Sequence, residues 1–413
     1  MTQMIIRARI ILPISSPPVE DGAVKITENR IAALERWRDL KTNPGPVVDL
    51  GDAIILPGLI NAHCHLDYTD MAGMISPQKS FSSWIKAMLA LKSHWSYSEY
   101  AQSWIHGAKM LLRTGTTTVA DIEAVPELLP EVWSTSPLRV LSLLELTGVK
   151  SRRVAREIIS EAARRIESLA YAKNFMGLSP HALYSTSPDL LKRSAEIARE
   201  KNWVLSTHVA ESEEEMEMFL QGRGALFEWL KSQRDMADVG ASPVELLDRQ
   251  GMLTPNFAAV HANYISKSDA ALLAKRHCSV VHCPRSHDYF GHNPFPRKIL
   301  ADAGINIALG TDSLASIRKQ PAQPVELNMF SEMQSFAKAN PDVSAEKILQ
   351  MATINGARAL GMQKQIGELT PNAFADLIAL RFSGKISEAH EAVLQHKGEV
   401  LASIIDGNWV VKP

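Results

Sequence analysis

Residues 54–65 of this chain read IILPGLINAHCH, and this stretch is the clearest indication of its fold. Its first part, residues 54–60, is a nearly continuous apolar run, which is typical of a strand buried on both faces of a parallel sheet. His63 and His65 follow, and residues two apart in an extended segment point the same way. The stretch therefore predicts a buried parallel strand that ends in two imidazoles able to reach one ion.

Seven further runs of this kind follow, with room for helices between them. They lie near residues 116–122, 139–147, 175–179, 204–210, 258–263, 279–283 and 305–310. The helical segments lie near residues 80–92, 96–113, 152–170, 266–277, 324–339 and 344–361, with one more after residue 187. Eight strands that alternate with helices predict an α/β fold, the (β/α)8 TIM barrel.

The two ends of the chain differ from its middle. Residues 1–53 and 365–413 contain short strand-like pieces separated by turn residues. Because a barrel brings its ends close together, the two flanks can pair with each other. We therefore expect a small β-sandwich domain built from residues 1–55 and 362–413, beside a barrel formed by residues 56–361.

Composition narrows the class of protein. The 413 residues include 44 Lys and Arg against 45 Asp and Glu, so the basic excess expected of a nucleic-acid binder is missing. Three cysteines favour a reducing compartment over a disulfide scaffold. The chain begins without a signal-like segment and has no apolar stretch of about 18 residues. We expect a cytoplasmic protein that binds neither membrane nor nucleic acid.

Two more polar residues stand where predicted strands end. His208 ends the fifth strand, within LSTHVAES, and Asp312 follows the eighth, within GTDS. Alone, such a histidine is usually a hydrogen-bonded core residue, and such an aspartate usually belongs to a turn. The strand ends of a barrel meet on one face, however, so these side chains and the imidazoles of His63 and His65 converge.

Three imidazoles and one carboxylate suit one divalent metal ion with a position left for water. Zinc is the ion that these ligands favour, and iron(II) is the alternative. His261 ends the sixth predicted strand, within AVHANY, and is open to two interpretations. It is either a fifth ligand or a group beside the metal-bound water.

The segments PGLINAHCHLD, THVAES, VHANY, HCPRSH and GTDS, in this order, resemble the amidohydrolase superfamily. Within it, they are most similar to the branch of cytosine, adenosine and guanine deaminases and chlorohydrolases, along essentially the whole chain. The resemblance implies a mononuclear centre with the four ligands above and with Glu211, His261 and Asp312 as catalytic residues. Binuclear relatives use a carboxylated lysine after the fourth strand, where this chain reads GLSPHALY.

The resemblance also implies a mechanism. Asp312 would accept a proton from water, His261 would orient the nucleophile, and Glu211 would donate a proton to a ring nitrogen before ammonia leaves. A carboxyl group that donates at neutral pH needs a raised pKa. The rest of the acidic run ESEEEME, residues 211–217, is expected to begin a helix and to face solvent.

Within the branch, the segment SFSSWI and the long stretch after His208 are most similar to deaminases of 6-aminopurine nucleosides with a modified 5′ end. The candidate substrates are aminodeoxyfutalosine, S-adenosylhomocysteine and methylthioadenosine. Aminodeoxyfutalosine is favoured because its carboxylate could meet Arg152 or Arg153. The alternative interpretation of these two arginines is that they belong to the solvated start of a helix. Trp84 could stack on the purine or belong to the core of its helix. His181, which follows the fourth strand, is assigned to substrate binding.

His287 departs from the pattern of the branch, which usually has asparagine after HCPxS. We assign it to substrate binding, with a structural hydrogen bond as the alternative. Two other functions stay open: an aminohydrolase or chlorohydrolase of a guanine, pterin or triazine ring, and a non-catalytic scaffold. A homodimer is possible, and the expected partners are a small-molecule substrate and water.

Overall fold

The computed structural model describes residues 3–41, 45–149, 153–169, 175–318 and 325–413. The strands in these residues form two sheets. In chain order, the strands are β1 (Gln3–Ile11), β2 (Val19–Thr27), β3 (Arg30–Arg36), β4 (Val47–Asp49), β5 (Ala53–Pro57), β6 (Leu59–Cys64), β7 (Thr116–Glu123), β8 (Arg139–Leu146), β9 (Phe175–Pro180), β10 (Leu205–Val209), β11 (Phe257–His261), β12 (Ser279–His282), β13 (Asn306–Leu309), β14 (Leu377–Arg381), β15 (Ala402–Ile405) and β16 (Asn408–Val411).

Most of the helices lie between the barrel strands. They are α1 (Trp37–Leu40), α2 (Phe81–Lys92), α3 (Tyr97–Arg113), α4 (Leu129–Ser134), α5 (Ala155–Leu169), α6 (Pro188–Lys201), α7 (Glu213–Gln221), α8 (Ala225–Leu230), α9 (Pro243–Arg249), α10 (Lys267–Lys275), α11 (Pro284–Phe290), α12 (Arg297–Asp302), α13 (Met329–Ala339), α14 (Ala345–Met351), α15 (Ile354–Ala359) and α16 (Ala389–Leu394). Short 3-10 turns occupy Leu66–Met71, Pro126–Leu128, Leu183–Ser185, Leu314–Ser316 and Ile386–Glu388. No helix in the described ranges combines the length and the apolar character that crossing a membrane requires.

The eight strands β6 to β13 are parallel and pair in sequence order. The sheet closes where the N–H groups of Thr311 and Asp312 donate to the carbonyl oxygen of His63, at 3.0 and 3.1 Å. Gly310 permits this approach, because a Cβ there would lie 2.8 Å from the same carbonyl oxygen. The predicted (β/α)8 barrel with a small β-domain from both chain ends is confirmed.

The first predicted strand is placed wrongly. The run at 54–60 is divided at Pro57: β5 pairs with β1 and β14 in the small domain, and the barrel strand β6 begins only at Leu59. Gly58 lies between them, and a Cβ there would clash with Thr117 at 2.0 Å. The tight crossing from one sheet to the other therefore interrupts an apolar run that is continuous in the sequence.

The second sheet curls into the small domain. Its strand order is β16-β15-β14-β5-β1-β2-β3, with β4 beside β1. The turns at opposite ends of this order meet, because Asn29 Nδ2 donates to Asp406 Oδ1 at 3.0 Å. One face of the curled sheet encloses a core of its own, whose members include Ile6, Ile26 and Leu377, while the other face packs on the barrel. The described strands of this domain lie between residues 3 and 57 and between 377 and 411.

The small domain contacts the amino-terminal ends of the barrel strands. Arg139, at the start of β8, donates to the Asp376 carboxylate at 2.9 and 3.1 Å, and both side chains are buried. Gly115, just before β7, packs against Ile378 and Val400. The opposite face of the barrel, where the strands end, therefore stays free to form a site.

Candidate active site

The four side chains of the expected metal site converge at the carboxyl ends of the barrel strands. One nitrogen from each of three histidines and one carboxylate oxygen lie within 4.8 Å of one another; the residues are His63, His65, His208 and Asp312. Asp312 Oδ1 lies 3.6 Å from His63 Nε2 and 3.7 Å from His65 Nε2. All four residues are buried.

Neighbouring groups aim two of these side chains. His208 Nδ1 lies 2.7 Å from the carbonyl oxygen of His181, so it carries the proton and leaves Nε2 free to bind. Asp312 Oδ2 accepts hydrogen bonds from Ser286 and Ser316, at 2.6 and 3.1 Å. Its second oxygen, Oδ1, therefore faces the imidazoles.

These residues fit a divalent metal ion. His63 Nδ1 and Nε2 and His65 Nδ1 are buried and have no hydrogen-bond partner. Burial and the neighbouring His63 lower the pKa of His65 to about 3, so its imidazole is neutral and has a free lone pair. Ligand atoms around a four-coordinate ion with N and O donors lie about 3.4 Å apart. The separations of 3.6 and 3.7 Å from Asp312 are close to that value.

Several residues at these strand ends adopt left-handed backbone angles that non-glycine residues rarely adopt. The φ angle is +48° at Ala210, +69° at His261, +49° at Ala262 and +55° at Asp312. Each such conformation costs of order 1 kcal/mol or more and persists only where the surroundings impose it. The strained turns direct the side chains at the strand ends towards one point.

Glu211 and His261 lie beside the four candidate ligands. Glu211 Oε1 is 3.5 Å from His261 Nε2, and both side chains are buried. Burial raises the pKa of Glu211 well above its usual range, and the charges of Asp312 and Glu215 add to the effect. Burial also lowers the pKa of His261 to about 3. The pair therefore combines a protonated carboxyl group with a neutral imidazole.

A cavity of about 460 Å³ opens above this cluster. His65, His208, Glu211, His261 and Asp312 form its polar floor. Its wall is largely apolar and consists mainly of Phe81, Trp84, Ile85, Met88, Leu89, Val149, Tyr184, Trp229 and Leu230. The floor can therefore bind polar atoms while the wall holds a flat or apolar group.

The expected substrate residues separate into three groups. Trp84 and His181 line the cavity. His287 does not line it: His287 Nδ1 lies 3.0 Å from Asn263 Oδ1, which matches the alternative interpretation of a structural hydrogen bond. Arg152 lies outside the described residues, and the adjacent Arg153 is exposed and forms an ion pair with Glu161.

Two charged residues of the wall were not predicted from the sequence. Glu145 Oε2 lies 3.8 Å from Lys92 Nζ, and Glu145 Oε1 lies 4.0 Å from His181 Nε2. Burial alone would raise the pKa of Glu145, but the positive charge of Lys92 and the nearby His181 lower it, so the group is ionised. Glu145 could have been singled out from the sequence, because it is the one acidic residue in the apolar run RVLSLLELT.

The expectation for the acidic run is wrong at Ser212 and Glu215, which are both buried. Glu215 is fully buried instead of facing solvent. Its carboxylate accepts the backbone N–H groups of Ala210 and Glu211, at 3.2 and 2.9 Å. These two bonds pull the side chain inward at the start of α7, where a charge pattern alone predicts an exposed face.

Known proteins share this architecture and sequence. The sequence profile of the amidohydrolase family matches residues 54–410. The 5-methylthioadenosine/S-adenosylhomocysteine deaminase of Syntrophobacter fumaroxidans is 30% identical over 382 residues, which cover 88% of this chain and 80% of the relative.

Two solved structures share the fold. An adenosine deaminase from Xanthomonas campestris with bound zinc superposes with a TM-score of 0.86 at 24% identity, covering 100% of this chain and 93% of that one. The Helicobacter pylori aminofutalosine deaminase in complex with methylthio-coformycin gives 0.87 at 21%, covering 99% and 100%. The resemblance predicted from the motifs is confirmed, and the chain belongs to the amidohydrolase family.

Proposed function

We propose that the protein is a metal-dependent deaminase that releases ammonia from a 6-aminopurine nucleoside with a modified 5′ end. The observation that carries the proposal is the position of Glu211. Its buried carboxyl group lies 3.5 Å from His261, beside the imidazoles and the carboxylate on the floor of the cavity. A proton donor is therefore held next to a set of metal ligands.

We assign one zinc ion to His63, His65, His208 and Asp312. A bound divalent cation lowers the pKa of water towards neutrality and so supplies a nucleophile at neutral pH. Three nitrogen donors and one oxygen donor suit zinc. The resemblance supports a single ion, because the fourth strand end offers no lysine for a second one.

Asp312, His261 and Glu211 each have a separate role in the proton transfers. Asp312 Oδ1 faces the imidazoles and accepts a proton from the attacking water, while His261 orients that water. Glu211 donates a proton to the ring nitrogen next to the reacting carbon, which prepares the carbon for attack. The carbon–nitrogen bond breaks after a second proton reaches the amino group, so water and the aminopurine give the oxopurine and ammonia.

The wall of the cavity supports a nucleoside as substrate. Trp84 and Tyr184 offer aromatic faces to the purine. We assign Glu145 to the sugar hydroxyls, because an ionised carboxylate is a strong acceptor for O–H donors. Leu89 and Leu230 are apolar and suit an uncharged 5′ substituent.

The named relative supports the same class of substrate. It is called a 5-methylthioadenosine/S-adenosylhomocysteine deaminase, and this chain covers 80% of its length. Among the described residues that line the cavity, Lys92 is the only Lys or Arg, and Glu145 lies beside it. Because the carboxylate of Glu145 already offsets this single positive charge, the cavity favours methylthioadenosine over a substrate with an anionic tail, such as aminodeoxyfutalosine.

A panel of substrates tests the proposal. Purified, zinc-loaded protein is incubated with methylthioadenosine, S-adenosylhomocysteine, aminodeoxyfutalosine, guanine and a chlorotriazine, and the change in absorbance of each ring is followed. We expect the three nucleosides to react, methylthioadenosine fastest. Glu211→Gln, which keeps the size of the side chain and removes the acid, should abolish turnover. Reaction of the chlorotriazine or guanine alone would overturn the proposed substrate class.

A further inference from the structure

The backbone of Glu211 is held through the peptide groups on both sides of its Cα. Its N–H donates to Glu215 Oε2 at 2.9 Å, and its carbonyl oxygen accepts from Asn263 Nδ2 at 3.0 Å. Glu215 and Asn263 are both buried, so these bonds do not compete with bulk water. The main chain beneath the Glu211 side chain is thereby fixed at its donor and at its acceptor.

Asn263 is itself held by a second residue. Its Nδ2 donates to a carbonyl oxygen, so its Oδ1 faces His287 Nδ1, 3.0 Å away. An amide oxygen only accepts, and His287 must therefore carry its proton on Nδ1. A chain of two hydrogen bonds runs from His287 through Asn263 to the carbonyl oxygen of Glu211. Glu211 follows β10, Asn263 follows β11, and His287 lies in α11, after β12. The chain therefore links the ends of three successive strands.

We infer that Asn263 and His287 are positioning residues that aim the Glu211 carboxyl group at the substrate. Glu211 follows Ala210, whose φ is +48°, an angle that residues other than glycine disfavour. A turn of this kind relaxes unless its neighbours impose it. The bonds to Asn263 and Glu215 hold it from the Glu211 side, and the N–H of Tyr264, which donates to the carbonyl oxygen of Ala210 at 3.1 Å, holds it from the other. The inference rests on the proposed function, in which Glu211 donates a proton.

The identity of residue 287 agrees with this role. The motif pattern leads us to expect asparagine after HCPxS, and the amide nitrogen of asparagine stands close to where histidine has Nδ1. Either side chain can donate to Asn263 Oδ1. A residue that contacted substrate would line the cavity, and His287 is absent from its described lining.

Kinetics with methylthioadenosine test the inference. In Asn263→Leu the branched shape of the side chain is kept and both hydrogen bonds are lost, and we expect kcat to fall about 10- to 100-fold. KM should change by less than about threefold, because ground-state binding is untouched. His287→Leu should show a smaller fall in kcat, and His287→Asn should retain the wild-type value. Asn328→Leu removes an equally buried amide at the start of α13 and serves as the control with unchanged kcat.

Crystal structures of the wild type and of Asn263→Leu give a readout that is independent of turnover. We expect the separation of Glu211 Oε1 and His261 Nε2 to stay near 3.5 Å in the wild type and to increase in the variant. An unmoved Glu211, or an unchanged kcat in Asn263→Leu, overturns the inference. If the wild type itself releases no ammonia, the proposed function fails. The inference is then tested only by whether Glu211 moves between the crystal structures of the wild type and of Asn263→Leu.

Discussion

Glu145 is the residue for which a conservative substitution is most informative. Glu145→Gln keeps the shape of the side chain but replaces a charged acceptor by a neutral one. Hydrogen bonds to charged groups contribute about 1.5–3 kcal/mol, so KM for methylthioadenosine should rise at least about tenfold. We expect kcat to change little, because Glu145 lies on the wall of the cavity.

Deoxygenated substrates provide the matched control for this prediction. With a 2′,3′-dideoxy analogue, wild type and Glu145→Gln should have the same KM, since the hydroxyl donors are gone. A tenfold difference that persists with the analogue would show that Glu145 does not bind the sugar.

The raised pKa of Glu215 predicts that the stability of the protein depends on pH. Burial is the main cause that raises its pKa to about 7, against 4.5 for an exposed glutamate. The folded state thus holds this proton more tightly, and the stabilisation is complete below pH 4.5 and is lost as pH rises through 7. Between pH 5 and 8, the wild type should lose roughly 2 kcal/mol relative to Glu215→Gln.

Thermal unfolding of both proteins across this pH range measures the effect. The melting temperature of the wild type should fall relative to that of Glu215→Gln as the pH rises. Parallel curves for the two proteins would mean that Glu215 is already ionised in the folded state at pH 5.

The residues that could be predicted are those that follow a strand in a recognisable motif. His63, His65, His208 and Asp312 were expected together, and the fold brings them together. Glu145 was missed because its chemistry depends on Lys92, which is distant in sequence and comes from another element. Side-chain partners across elements are set by packing, which a single sequence does not show.

Helix α2 forms one wall of the cavity, and its first turn is capped. Ser80 Oγ accepts the N–H of Ser83 at 3.2 Å, and losing such a cap costs about 1 kcal/mol. Ser80→Ala should therefore loosen the wall that carries Trp84. We expect KM to rise by up to about fivefold, since 1 kcal/mol corresponds to that factor.

Ser96→Ala is the matched control for this element. Ser96 caps α3 in the same way, but α3 contributes no residue to the described lining of the cavity. Its substitution should lower thermal stability without changing KM. An equal rise of KM in both variants would show that the effect of Ser80 is not local to the cavity wall.

Elements were predicted well where a cap or a strand end marks them. The helix expected at 80–92 is observed as Phe81–Lys92. The helix expected at 344–361 is instead divided into α14 and α15, because Thr353 leaves the helical conformation and its hydroxyl donates to the carbonyl oxygen of Leu349. An apolar pattern continues through such a break and does not reveal it.

The two domains are joined by a buried ion pair. Arg139 donates two hydrogen bonds to Asp376, and only 4% and 2% of the two side chains is exposed. Removing one partner of a buried pair costs up to about 3–5 kcal/mol, and Arg139 would keep only the longer contact to Asp406, at 3.5 Å. Asp376→Ala should therefore lower the melting temperature markedly.

An exposed pair supplies the control for the whole molecule. Asp189 and Arg193 are one helical turn apart and largely exposed, and such pairs contribute only about 0.5 kcal/mol. Asp189→Ala should unfold within a few degrees of the wild type, by calorimetry. Equal melting temperatures for Asp376→Ala and the wild type would contradict the role of the buried pair.

The architecture of the whole molecule was predictable, and the point where the chain crosses between domains was not. Eight apolar runs with helices between them predict the barrel from the sequence alone. The crossing at Pro57 and Gly58 depends on contacts with Thr117 and Asp376, which follow from the assembled fold.

Zinc-dependent release of ammonia from methylthioadenosine tests the claim that the protein is a metal-dependent deaminase of a modified adenosine. Metal-free protein is titrated with zinc, and ammonia is measured after each addition. We expect the rate to rise with zinc and to saturate at about one equivalent per chain. Glu211→Gln should bind the same amount of zinc and release no ammonia. Ammonia release that is independent of metal, or its absence at every zinc loading, would contradict the claim.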